Sequence, residues 1–231
     1  MELKPIEVWY WQIRGKGTVV TDFLSALNVP FTLNNFASFE AYPEFKMKVA
    51  KEYPFVNLPM IRDPNHGNNY MAETDAILQY LARTYKAETG VTSLDELPEF
   101  LTLQGAMSDS SLGIIIRNIF SAKTKEELKE KVLAVRPKFA MKMGILENIL
   151  KSNDWMFKNR FTYLDVKMGL FTEWLTTMET ELDFEFLTKS ERELFLKHMK
   201  RVQEVEGIKK WRASDKFFAR PFSPPSMTTW Y

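Results

Sequence analysis

The 231-residue chain contains no cysteine. That single absence removes disulfides, thiolate zinc sites, a cysteine nucleophile and thiol–disulfide exchange by the protein's own residues. Histidine is almost as scarce, with two residues, His66 and His198, far apart in sequence. His66 lies in the turn-like run Asp-Pro-Asn-His-Gly-Asn-Asn and His198 in a charged helical stretch, so both read as solvated and no metal site is expected. Charge of one sign is also missing: 31 Lys and Arg stand against 30 Asp and Glu, a net charge of +1. Nothing in that balance asks for nucleic acid. No apolar run approaches the ~20 residues of a membrane helix. The opening Met-Glu-Leu-Lys-Pro lacks the apolar core of a signal peptide. A cytoplasmic protein without membrane contact is the expectation.

What is present is ample for a core: 45% hydrophobic and 14% aromatic residues, which excludes disorder as the default state. Such a length suits one large or two small domains. Val8 to Gly15, Val-Trp-Tyr-Trp-Gln-Ile-Arg-Gly, begins aromatic and β-branched and ends in glycine, the pattern of a strand running into a helix start. A tyrosine hydroxyl placed there can donate to an anion held at the helix N-terminus. Packing alone accounts for Trp9, Tyr10 and Trp11 about as well.

Residues 6–12 read as a first strand. Val19, Val20, Phe23, Leu24 and Leu27 then mark a helix over 17–27, Asn28-Val29-Pro30 breaks it, and 31–36 reads as a second, parallel strand. Residues 37–53 look irregular or weakly helical. Pro59 before Met60-Ile61 must begin a strand or sit at an edge, because it has no N–H for a ladder; were Leu58–Pro59 cis, the Leu58 backbone would be free to pair with something extended. A Pro-, Asn- and Gly-rich turn over 63–69 leads to a short strand, 69–71. A helix follows, with Thr74 or Asp75 as N-cap and Ala76, Ile77, Tyr80 and Leu81 as its buried stripe. The order βαβ then ββα completes a small four-stranded α/β domain by about residue 85. A polar linker over 87–98 separates it from helical period almost to the end, with helices expected near 98–120, 137–151, 163–178, 188–203 and 205–214. Pro137 is expected in a first turn, and Thr162-Tyr163-Leu164-Asp165 resembles a capping box. The Pro- and aromatic-rich tail from Phe217 is expected to pack back on the body.

This layout resembles that of the cytosolic glutathione transferases, and the likeness reaches individual residues. Tyr10-Trp11-Gln12-Ile13-Arg14-Gly15 resembles the Tyr-Trp-Asp-Ile-Arg-Gly opening of the Mu class. Asn57-Leu58-Pro59 matches that class's Asn-Leu-Pro, and Glu73-Thr74-Asp75-Ala76-Ile77-Leu78 resembles Gln-Ser-Asn-Ala-Ile-Leu. Phe161 to Asp165 corresponds to the helix-start motif of the second domain, and Phe218-Ala219-Arg220-Pro221 with Met227 and Trp230 to the Mu-class tail. Five motifs in matching order span essentially the whole chain. The resemblance implies a thioredoxin-like glutathione-binding domain over 1–86 and an all-helical domain over 98–231 that carries the wall of an electrophile pocket and the tail.

It also implies a reaction. The glutathione thiol, with a free pKa near ~8.5, must ionise to attack an electrophile. By resemblance Tyr10 donates its hydroxyl hydrogen bond to the sulfur and so favours the thiolate; it is not a general base. Leu58, followed by cis Pro59, would pair with the cysteinyl backbone. Thr74 would receive the γ-glutamyl carboxylate and Glu73 its ammonium, where the family also brings an acidic residue of the neighbouring subunit, here Asp109. Trp11, Asn57 and Lys48 would meet the glycine end, with Lys46 competing for the second carboxylate. Ile13, Lys16, Ile116 and Phe222 would line the second-substrate pocket. Phe55 aligns with the aromatic key of a homodimer. Glutathione is a co-substrate, and no cofactor is implied.

Departures from the class are informative. Trp9 replaces a glycine, and Lys16 an apolar residue beside the acceptor pocket, which makes that pocket more polar or suits it to an acidic acceptor. The segment before Asn57 is shorter, and Ile116 or Ile119 stands where an aromatic residue is usual. Conjugation to small hydrophobic electrophiles, as in detoxification, is the leading expectation. A non-catalytic binding or dimerisation protein of the same fold, or a glutathione-dependent isomerase, are the alternatives.

Overall fold

A computed structural model of the chain describes residues 2–91, 93–107, 115 and 117–218. Its residues cluster into two compact units, one running to Lys86 and joined by the segment that starts at Glu206, the other running from Ala87 to Val205.

The first unit contains strands β1 (Ile6–Trp11), β2 (Phe31–Phe36), β3 (Met60–Arg62) and β4 (Tyr70–Ala72), with helices α1 (Lys16–Ala26), α2 (Tyr42–Val49) and α3 (Thr74–Tyr85). The sheet order is β2-β1-β3-β4. β1 is parallel to β2 and antiparallel to β3, and β3 is antiparallel to β4, so the sheet is mixed as expected. Burial alternates along β1 with the period of a pleated strand: Ile6, Val8 and Tyr10 are buried, while Glu7, Trp9 and Trp11 are half-buried. The second set belongs to an aromatic layer in which Trp9 meets Phe45 and Tyr70, and Trp11 meets Phe36, Phe39 and Tyr42. Those rings explain why 37–53 is ordered: a 3-10 turn at Phe39–Ala41 and helix α2 carry them.

The second unit is helical in its described residues: α4 (Leu97–Ala106), α5 (Lys125–Ser152), α6 (Tyr163–Leu182) and α7 (Lys189–Gln203), with 117–121 also helical. The first unit's late segment is α8 (Glu206–Arg212). Several expectations are corrected. Pro137 lies inside α5, which starts twelve residues before it, capped by the Thr124 hydroxyl accepting from the Glu127 N–H. The charge-rich first turns of α5 had hidden its periodicity. α3 is preceded by Glu73 at φ 71°, not capped by Thr74 or Asp75, and Ala76 is exposed, leaving Ile77, Leu78, Leu81 and Ala82 as its buried side. His198 is not solvated: only 2% exposed, it bonds Asp165 through Nε2 at 2.8 Å. Asp165 is fully buried and also accepts from the N–H groups of Met156 and Thr162, both at 2.7 Å, which completes the expected capping box of α6.

Candidate functional site

The end of β1 and the start of α1 are built around one phenol. Tyr10 points to the buried side of the sheet, 5% exposed, under the loop that turns into α1. The backbone N–H of Lys16, the first residue of α1, donates to the Tyr10 hydroxyl oxygen at 2.8 Å. Gly15 and Gly17 are required by this contact: a Cβ on Gly15 would lie 2.3 Å from the hydroxyl oxygen, and one on Gly17 2.4 Å from the ring. Close approach of backbone to ring is the reason for glycine here. A donor on the phenol oxygen polarises the O–H and makes it a stronger donor in turn, and the helix N-terminus adds positive potential. Ile13 and Arg14, both buried, share with Tyr10 and Phe217 a cavity of only about 20 Å³, room for one water.

A second group of expected residues meets at the start of β3. The Leu58–Pro59 bond is cis. Asn57 joins its neighbours: its Nδ2 donates to Glu73 Oε1 at 3.0 Å, and its Oδ1 accepts from the Leu58 N–H at 2.9 Å. The Leu58 N–H expected to face a ligand is therefore held by the side chain before it. Glu73 is exposed at its positive φ, and Thr74 is buried at the first turn of α3. In α2 both Lys46 and Lys48 are exposed, with the Lys46 ammonium 6.0 Å from the Tyr42 ring centre. Trp11 is held in the aromatic layer described above. Phe55 is 74% exposed, edge-on to Tyr53. Asp109, Ile116 and Phe222 lie outside the described residues, as do the tail positions from Ala219 on.

Residues 113–215 match the family model described as glutathione S-transferase, C-terminal domain. The solved glutathione S-transferase Blo t 8 superposes with a TM-score of 0.72 over 96% of this chain and 98% of that one, at 22% identity. The chain has the glutathione S-transferase fold. Glutathione S-transferase 1 of Schizosaccharomyces pombe is 31% identical over 131 residues, 54% of this chain and 56% of that protein. The chain thus aligns with little more than half the length of that curated relative. Ure2p, solved in complex with glutathione, is also similar in structure, with a TM-score of 0.65 at 17% identity over 91% of this chain. These likenesses show the fold and do not single out the Mu class.

Within this glutathione S-transferase fold, sequence reasoning missed two polar clusters of the first unit. Asp63, 2% exposed, accepts from the Tyr80 hydroxyl at 2.7 Å, the Tyr85 hydroxyl at 2.6 Å and the Asn65 N–H at 2.8 Å, with His66 Nδ1 at 3.2 Å. Burial pushes its carboxyl up, but the hydrogen bonds from Tyr85, Tyr80, Asn65 and His66 together outweigh it and hold the group below the usual range. Both tyrosines are pushed well above theirs, by burial first and then by the Asp63 carboxylate. This cluster ties the β3–β4 turn to α3. The other cluster is Asp22 with Arg212, Nη2 at 2.6 Å and Nε at 3.1 Å, which ties α8 to α1. Gly207 lets the two helices touch, since a Cβ there would lie 1.8 Å from the Ser25 carbonyl oxygen. The signal for Asp22 was legible, an acid inside the apolar stripe of α1. Its partner, 190 residues away, was not.

Proposed function

We propose that the protein is a glutathione transferase that holds the glutathione thiol as thiolate through Tyr10 and conjugates it to small hydrophobic electrophiles. The observation that carries this reading is the Lys16 N–H bonded to the Tyr10 oxygen at a helix start. In that arrangement the phenol acts as donor toward a sulfur anion, not as a proton acceptor. Lowering a thiol pKa by about two units takes roughly 3 kcal/mol of preference for the anion. One charge-assisted hydrogen bond supplies roughly 1.5–3 kcal/mol, and the helix terminus a part of the rest.

As the thiolate forms, the thiol proton passes to bulk water, so no protein base is required at the sulfur. The thiolate attacks the electrophilic carbon, a carbon–sulfur bond forms, and the leaving group departs with its electron pair. Glu73 is proposed to receive the γ-glutamyl ammonium, and Asn57, joined to it by a hydrogen bond, to meet the glycine end. Thr74 at the start of α3 takes the γ-glutamyl carboxylate, and Leu58 with Pro59 pairs with the cysteinyl unit. That pairing requires the Asn57 side chain to release the Leu58 N–H. Trp11 and Lys48, or Lys46 in its stead, take the glycine end. Asp109 of a neighbouring subunit, the pocket residues Ile13, Lys16, Ile116 and Phe222, a homodimer keyed by Phe55, a cytoplasmic location and a detoxifying role complete the proposal.

The test is conjugation of glutathione to an aryl halide by wild type and Tyr10→Phe, beside retention on immobilised glutathione. Retention with turnover that falls in the variant supports the reading; retention by both with turnover by neither removes catalysis. A second reading, a glutathione-binding protein without turnover, is favoured by the near-complete burial of Tyr10.

A further inference from the structure

Strand β2 forms one edge of the sheet. The Ile6 N–H donates to the Pro30 carbonyl and the Gln12 N–H to the Phe36 carbonyl, both at 2.9 Å. A parallel ladder engages alternate residues. In the register Ile6↔Phe31, then, Pro30, Thr32, Asn34 and Phe36 turn their main chain towards β1. The N–H and C=O groups of Phe31, Leu33 and Asn35 point the other way, and among the described residues they have no hydrogen-bond partner. Native sheets blunt such an edge with lysine, proline, a bulge or a very short strand. β4, at the opposite edge, is three residues long. β2 runs for six, Phe-Thr-Leu-Asn-Asn-Phe, with no charge and no proline inside it.

Beside this edge lies a groove of about 930 Å³. Leu33 and Asn35 line one side of it, and Lys210, Trp211, Asp215 and Lys216 the other. Trp211 stands edge-on to Phe31, ring centres 4.9 Å apart. Both sides belong to the first unit. Residues 28–36 hold no charge, so the groove takes its charge from Lys210 and Lys216, both exposed, against Asp215 alone. Neither lysine is in an ion pair among the described residues.

We propose that β2 and this groove receive an extended, acidic segment of another protein as a fifth strand of the sheet. The outward main-chain groups repeat with the period of a strand, which suits an extended chain and not a compact ligand. In strand addition those groups give affinity, and alternate side chains of the guest give specificity. Every second guest side chain enters the groove: an apolar one meets Trp211 and Leu33, and acidic ones meet Lys210 and Lys216. Two ammonium groups facing one carboxylate select against a basic guest. The inference involves neither Phe55 nor turnover of glutathione.

The probe is the acetylated and amidated hexapeptide Glu-Thr-Val-Thr-Glu-Thr, with Lys-Thr-Val-Thr-Lys-Thr as its basic counterpart. Each is titrated into the isotope-labelled full chain while amide exchange is followed by nuclear magnetic resonance. The acidic probe should slow exchange at Phe31, Leu33 and Asn35 at least tenfold and leave Thr32, Asn34 and Phe36, already turned to β1, unchanged. Lys210→Glu combined with Lys216→Glu should weaken the acidic probe at least tenfold and favour the basic one, at an unchanged melting temperature because both sites are exposed. A second readout needs no variant: the acidic probe is N-methylated at its second and fourth residues, or at its third and fifth. Only alternate amides of a docked strand face β2, so one of these peptides should fail to bind and the other should bind as before. The proposal is overturned if neither probe slows exchange, if the acidic and basic probes bind alike, or if both methylated peptides behave alike. Outward amides that already exchange slowly without peptide would mean that the chain itself or a second copy occupies the edge, and would overturn it too.

Discussion

Tyr10 and Lys16 are joined by a hydrogen bond from the Lys16 backbone N–H to the phenol oxygen, 2.8 Å long. Because the donor is main chain, the bond survives any change of the lysine side chain. The phenol's orientation is thus set by the fold of the loop and not by the side chain at position 16.

Replacing Tyr10 by Phe keeps the ring and removes the hydroxyl. On the proposed mechanism this removes one charge-assisted hydrogen bond to the thiolate, so kcat/KM for an aryl halide should fall roughly tenfold to a hundredfold. The pKa of bound glutathione should rise by about one to two units, read from thiolate ultraviolet absorbance against pH. Retention on immobilised glutathione should persist.

Gly17→Ala tests the packing of the same ring. A methyl group 2.4 Å from the Tyr10 ring forces the phenol to move. The improved helix propensity, worth up to ~1 kcal/mol, is smaller than the ~1–3 kcal/mol of an overpacked core. Thermal unfolding should show net destabilisation, and conjugation should drop although no atom of Tyr10 has changed.

Asp63 should make the fold acid-sensitive. Its folded pKa is held below the unfolded value of about 3.9. The stabilisation is therefore complete above that pH and is lost as pH falls through the folded value. Urea unfolding of wild type should weaken steeply below about pH 4, and Asp63→Asn, less stable at neutral pH, should show a flatter profile there. An unchanged profile would mean that another carboxylate governs acid unfolding.

The Asp22–Arg212 pair predicts a non-additive result. Arg212→Met leaves a buried carboxylate without its guanidinium and should cost about 3–5 kcal/mol. The double variant Asp22→Leu with Arg212→Met should recover much of that loss, since paired burial of two charges gains little over apolar packing. The check is a double-mutant cycle by chemical denaturation.

Local pattern carried the elements whose periodicity is short-ranged. β2 was legible to the residue because Asn28-Val29-Pro30 stops one element and Phe36 ends the next, and the capping box at Thr162 and Asp165 announced α6. Asn57, Leu58 and Glu73 stood out by resemblance, and the chain brings them into one hydrogen-bonded row. Pro137 misled, because a proline in mid-helix is costly in isolation and only the packed inner face of α5 makes it tolerable. His198 misled for a similar reason: its neighbours in sequence are charged, and its burial depends on Asp165, 33 residues earlier.

By itself the amino-acid sequence determined the order of the strands and most of the helices, the lack of any thiol chemistry of the protein's own, and the identity of the phenol at the end of β1. Those are properties of adjacent residues and of what is absent. The tertiary structure decided which polar groups are buried together: Asp22 with Arg212, Asp63 with Tyr80 and Tyr85, Asp165 with His198. Such pairs form only after distant segments are packed, because a carboxylate gains from a partner in proportion to the water it has lost.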